Sequence, residues 1–360
     1  MQVIYSDKHR KHNPLFQFNQ NGVYPYSETP TRAEAIRDVL NANHSFRFEE
    51  PKPFDTLPIH EFPAFLAVHN HAYLNYFENI YSIWMDAERP LTGVIPDTFS
   101  SGTHTRCPTD LLAQPGFYCF DAQTPIVAGT LEAATTSALC ALTGAHKLIK
   151  GAKAAYALCR PPGHHATRSR YGGYCYLNNA AIAAMELSLW RPNDKLMVLD
   201  IDYHHGNGTQ EIFYDSDVIV TASIHGDPNC TWPFFWGYQD QTGVGAGEGF
   251  NRNFPLPPYT GDLEYYTALR IALDYLQSFS PVCGVVSLGV DTFSGDDLSN
   301  FQVSLDGFSF IGKILAELDL PILFVQEGGY NLEKIGTAVC NLLSAFELES
   351  TSIAEVQKPE

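Results

Sequence analysis

The ten residues LDIDYHHGNG, 199–208, set two carboxylates and two imidazoles directly after an apolar run and close on a glycine-flanked turn. Such an abrupt change from apolar to metal-ligand residue types is expected where a buried parallel strand ends at a site. Along an extended chain alternate side chains share a face, so Asp200, Asp202 and His204 are expected to project together. Acids and imidazoles crowded on one buried face are costly without a cation. Asp202 and His204 therefore read as two metal ligands, with Asp200 behind them. The third is expected at Asp291, which ends the apolar run in SLGVDTF, 287–293. Asp-His-Asp leaves coordination positions open, a catalytic arrangement rather than a closed structural one.

RPPGHH, 160–165, adds two adjacent imidazoles after a strand and a proline turn. Metal-assisted hydrolysis needs one group to take a proton from water and one to protonate the departing amine. His165 is assigned as that base and acid, nearest the metal, and His164 as its electrostatic companion. Asp200 is the expected partner of His164 and Asn207 that of His165; a charged partner raises an imidazole pKa more than an amide does. In QEGGY, 326–330, two glycines permit a sharp turn that could aim the Tyr330 hydroxyl at a developing oxyanion. Such a donor contributes about 3 kcal/mol.

These groups need a scaffold that brings distant segments together. From about residue 154 the chain alternates strand-like runs (154–158, 195–202, 218–224, 284–288, 322–326) with helix-like stretches. The helices are expected at 130–150, 179–190, 264–279, 305–318 and 332–348, with Asn178 and Asn179 capping the second. Alternation of this kind predicts an α/β fold, a parallel sheet with helices on both faces. Every loaded segment falls at or just after a strand end, so five strand ends describe one site. Residues 86–126, rich in Pro, Thr, Ser and aromatics, read as a long loop excursion of a single catalytic domain spanning 1–350, with 351–360 as a tail.

Composition narrows the function classes. Forty acidic against twenty-two basic side chains give a net charge of −18, which disfavours nucleic acid and favours cationic ligands. No apolar run approaches the ~18 residues of a membrane span, and the polar N-terminus shows no signal-peptide core. Eight cysteines without CxxC pairs suit a reducing, cytoplasmic setting. His69, His71 and His104 follow no strand bearing other ligands and are expected to be surface or turn residues.

With these segments in hand, the chain resembles the arginase/deacetylase superfamily, and within it the histone-deacetylase-like amidohydrolases. The resemblance is carried by RPPGHH, GGYCYLNN (172–179), LDIDYHHGNG, SLGVDTF and EGGY, in family order, and by VIYSDKHRKHNP and VHNHAYLNYF (68–77) near the start. HGDP (225–228) followed by GYQDQTGVGAG (237–247) is most similar to bacterial acetylpolyamine amidohydrolases, and Asn207 to the class II and bacterial branch. The resemblance implies a three-layer α/β/α domain around a mainly parallel eight-stranded sheet. It implies zinc at Asp202, His204 and Asp291, with Fe2+ also suited to that set, and His164, His165 and Tyr330 as catalytic residues. It further implies a structural K+ near Asp200, Asp202, His204 and Ser223, and a substrate tunnel formed by Gly173, Tyr174 and Phe235. The partner expected is a small acetylated amine, and the assembly a homodimer or higher homo-oligomer whose active-site mouth is narrowed by the 86–126 excursion.

One departure stands out. Polyamine-selective relatives carry acidic residues in the segment aligned with 108–126, where this chain has Leu112 and Gln123, with Asp110 and Asp121 nearby. Acetyl-lysine of a protein is thus the competing substrate. A binuclear ureohydrolase would need further carboxylates for a second metal, and an inactive binding module would be expected to lack one of the catalytic positions.

Overall fold

The computed structural model describes residues 1–19, 22–52, 57–90, 92–101 and 105–356. His104 lies outside them. Ten strands run β1 (Gln2–Ile4), β2 (Phe16–Asn19), β3 (Gly22–Pro25), β4 (Arg47–Glu49), β5 (Ala154–Ala157), β6 (Leu196–Asp200), β7 (Ile219–Gly226), β8 (Asn251–Leu256), β9 (Gly284–Leu288) and β10 (Ile322–Gln326). Eight of them form one sheet in the order β4-β1-β5-β10-β9-β6-β7-β8, and β2 and β3 form a separate hairpin. Every pairing in the large sheet is parallel.

The five strands expected from apolar runs are the contiguous centre of this sheet, β5 to β7. They are buried on both faces, which is why their sequences read as apolar runs. The three that escaped prediction lie toward its two edges: QVI and RFE at one side, NRNFPL at the other. Short or partly solvated edge strands carry no such run.

Alternate residues of the central strands feed two cores. Ala155, Ala157, Val198, Leu323 and Val325 enter one, with the helices Thr130–Ile149 and Asn179–Trp190. Tyr156, Met197, Leu199, Val286 and Phe324 enter the other, against Asp262–Gln277, Leu305–Ala316 and Ile335–Val356. This is the three-layer arrangement, and each fully buried Leu, Val or Phe contributes about 1.5–3 kcal/mol to it. The Asn178 side chain accepts from the Ala181 N–H and starts its helix, as expected. The last helix spans Ile335–Val356, entered through a turn at 332–334 whose Lys334 N–H is capped by Asn331 Oδ1.

The excursion is packed onto the domain. Val94 bridges to Ile126, a helical turn covers Pro115–Tyr118, and Phe120 stacks on Trp232. Among the described residues no helix is long and apolar enough to cross a membrane.

Candidate active site

The C-terminal ends of β5, β6, β9 and β10 open on one side of the sheet, and their following turns build the site. β6 stops at Asp200, two residues earlier than expected, so simple strand alternation does not place the next groups. Two side-chain turns do. Asp200 Oδ1 accepts the Asp202 N–H at 3.1 Å, and Asp202 Oδ1 accepts the His204 N–H at 2.8 Å. An aspartate holding the amide two residues on is a local alternative to a strand ladder.

Asp202, His204 and Asp291 offer ligand atoms that all lie within 4.8 Å of one another. Asp291, after β9, is fixed by the Tyr203 N–H at 2.8 Å, and Asp202 Oδ2 by the Gly328 N–H at 2.7 Å. A Cβ at Gly328 would stand 2.5 Å from Asp291 Oδ2 and 2.6 Å from Asp202 Oδ2, so glycine is required for this turn to approach the carboxylates. Both aspartates are fully buried. Burial and the neighbouring Asp202 push the Asp291 carboxyl up to about 7. Burial alone would also raise Asp202, but His164 and His204 hold it below the usual carboxylate range. Two buried carboxylates and an imidazole converging on one point fit a divalent cation, and the donor set suits zinc or iron.

The histidine pair follows β5. His164 Nδ1 lies 2.9 Å from Asp200 Oδ2 and His165 Nδ1 lies 2.8 Å from Asn207 Oδ1, so the two expected partnerships are both present. The environments push the rings apart. Burial opposes charge on His164, yet Asp200 and Asp202 outweigh it and bring its pKa up to about 10. Burial, with His164 and His204 nearby, drives His165 well below the ordinary value. Glu327, after β10, anchors the turn: its Oε2 accepts the Gly163 N–H at 2.6 Å and the His164 N–H at 3.1 Å. His164, Cys175 and Glu327 also cluster closely enough to hold an ion. His164 Nδ1 and Glu327 Oε2 are, however, already engaged as described.

Beneath Tyr330 lies a buried ion network that sequence reading missed. The Arg32 guanidinium sits 4.6 Å from the Tyr330 ring centroid and donates to the Gly329 and Glu327 carbonyls. Glu28 Oε1 meets Arg32 at 2.7 Å and Arg160 at 2.9 Å. Glu28 and Arg32 are only four residues apart, but Arg160 and the Glu327 and Gly329 carbonyls lie more than 120 residues away, so no local pattern signals the network as a whole.

A cavity of about 320 Å³ opens above His165, His204 and Tyr330. Its walls are Tyr174, Trp232, Phe234 and Leu298, with Gly173 beside them and Gln17 and Gln123 at the rim. Gly173 and Tyr174 thus stand where expected. Phe235 does not: it is 75% exposed, and Phe234 and Trp232 form the wall instead. Phe234 has φ 62 and the Phe235 N–H bonds back to Pro233 O, a tight turn that carries the next ring outward. Ser223 lies opposite Asp200 in the β6–β7 register, beside a small void also lined by His205.

Three further expectations resolve. His69 is buried rather than a surface or turn residue, bridging Thr167 O and the Asn178 N–H. Asp121 accepts the Gly173 and Gln123 backbone amides, and Asp110 caps a helical turn, so neither lines the cavity. Leu112 lines a separate depression formed by the excursion, whereas Gln123 lines the cavity itself.

Comparison with known proteins places this geometry. The histone deacetylase domain family matches residues 26–346. Acetylpolyamine amidohydrolase 1 of Pseudomonas aeruginosa is 40% identical over 350 residues, covering 96% of this chain and 99% of that protein. The acetylpolyamine amidohydrolase of Mycoplana ramosa is 40% identical over 344 residues, covering 95% and 98%. The crystal structure of an acetylpolyamine aminohydrolase from Burkholderia pseudomallei superposes with a TM-score of 0.89 at 35% identity, covering 97% of this chain and 99% of that one. An eight-stranded parallel sheet whose strand ends gather these carboxylates and histidines, matched along nearly its whole length, makes the chain a hydrolase of amide bonds and a member of the histone deacetylase domain family.

Proposed function

We propose that the protein is a zinc-dependent amidohydrolase that removes acetyl groups from small primary amines of the acetylpolyamine class. The observation that carries this reading is the convergence of Asp202, His204 and Asp291 with two differently partnered histidines and Tyr330 at the floor of one cavity. Zinc held by Asp202, His204 and Asp291, or iron in its place, supplies Lewis-acid polarisation of a carbonyl and a lowered pKa for water. His165, kept neutral by burial, takes a proton from the attacking water and returns it to the amine nitrogen as the amide C–N bond breaks, leaving acetate and a free amine. His164 remains an imidazolium against Asp200 and stabilises negative charge developing in front of it. Burial keeps Tyr330 protonated, so its hydroxyl donates to the carbonyl oxygen as that oxygen becomes anionic. A potassium ion beside Asp200 and Ser223, a homodimer and a cytoplasmic location complete the proposal.

The test is acetate release from acetylputrescine, acetylcadaverine, acetylspermidine and an acetyl-lysine peptide. The small amines are expected to turn over faster. A faster peptide would move the assignment to protein deacetylation, the reading that a wider mouth would favour.

A further inference from the structure

The floor of the cavity is charged and its rim is not. Among the described residues that line it there is no Asp, Glu, Lys or Arg; besides the imidazoles and Tyr330, the polar side chains are Tyr174 with its hydroxyl, Trp232 with its indole N–H, and two side-chain amides. The amides differ. Gln17 is committed, its Oε1 accepting the Tyr174 hydroxyl at 2.9 Å and the Ser27 N–H at 3.3 Å. Gln123 is held by its backbone, whose N–H donates to Asp121 Oδ1 at 2.9 Å, while the other oxygen of Asp121 takes the Gly173 N–H at 2.5 Å. The nearby carboxylate is therefore turned to two main-chain amides and does not line the cavity, whereas Gln123 does, its carboxamide having no hydrogen-bond partner among the described residues.

We infer that Gln123 is a specificity-determining residue, and that this chain recognises the far end of its amine by a neutral hydrogen bond and aromatic contact rather than by an ion pair. The substrate class is then acetylated amines with a short polar tail, charged or not. The inference rests on the deacetylase reading above. An ammonium facing a carboxamide gains one hydrogen bond that an alcohol gains as well. Facing a carboxylate in a half-desolvated cavity it would gain an attraction on the order of tenfold in binding, which the alcohol would not. The overall charge of −18 raises the encounter rate of any cation, but beyond about 8 Å that field is screened at 0.15 M salt.

The experiment compares kcat/KM, at about 0.15 M ionic strength, for three amides of matched length. These are N-acetylcadaverine, N-acetyl-5-aminopentanol and N-acetylhexylamine. For the natural chain the ammonium and alcohol compounds should agree within about fivefold, less than the roughly tenfold gain of an ion pair. Gln123→Glu should then shift the ratio about tenfold toward the ammonium, mainly in KM and fading at high salt. Gln17→Glu should shift it less, since its oxygen is already occupied. Gln123→Leu should erase any preference for the alcohol over the alkyl compound. A natural chain favouring the ammonium by more than fivefold, or a folded, active Gln123→Glu with an unchanged ratio, would overturn the inference while leaving the deacetylase reading intact. No acetate from any of the three would remove that reading itself.

Discussion

The floor and the rim of the cavity are built by opposite means. At the floor, Asp200, Asp202, His164, His165 and Asp291 are buried and each makes a specific polar contact, and they come from strand ends of one sheet and the turns that follow them. At the rim, Gln17 comes from a separate hairpin, Gln123 from the excursion, and Trp232 and Phe234 from an irregular turn. Chemistry is fixed where a displacement would strand a buried charge; selection is left to neutral groups whose displacement costs little.

The largest expected effects break the floor. His165→Ala and Tyr330→Phe should each lower kcat by about 10³-fold, because one removes the proton carrier and the other the oxyanion donor. Metal content, read by elemental analysis, should be unchanged, since neither is a ligand. Full turnover in either variant would remove the mechanism. A smaller loss is expected in the support beneath the floor. Glu28→Gln leaves two buried guanidinium groups without their counter-ion and should cost about 3 kcal/mol, seen as a lower chemical-denaturation midpoint.

His69 separates a structural imidazole from the catalytic ones. Burial brings its pKa down to about 4, whereas the unfolded chain titrates near 6.5. The sign follows: its contribution is complete above pH 6.5 and is lost as pH falls toward 4, because only the unfolded state takes the proton. Between pH 7 and pH 5 that loss is about 2 kcal/mol. A His69→Gln variant, compared with the natural chain at both pH values, should show a shallower decline. The smallest effect sharpens the rim. Tyr174→Phe deletes the bond to Gln17 and should raise KM several-fold, about 1 kcal/mol, with little change in kcat.

The same contrast decides what the sequence reveals. The central strands and the floor can be read directly, because a strand buried on both faces must be apolar and must end where polar ligands begin. Asp291, Tyr330 and the pairings of His164 and His165 follow from that logic. The edge strands β1, β4 and β8 lack the run. Arg160 reaches the local Glu28–Arg32 pair only through tertiary folding. Phe235 shows the limit at the rim: an aromatic cluster is visible, but a single left-handed residue, Phe234, decides which ring faces inward. His69 shows it in the core, since a buried neutral histidine satisfied by backbone groups has no local pattern of its own.

The central claim is that Asp202, His204 and Asp291 hold one catalytic metal. Titrating metal-free protein with zinc while following acetate release from N-acetylcadaverine tests it most directly. Activity should rise linearly and level off at one equivalent per chain. A plateau at two equivalents, or no acetate at any ratio, would contradict the account.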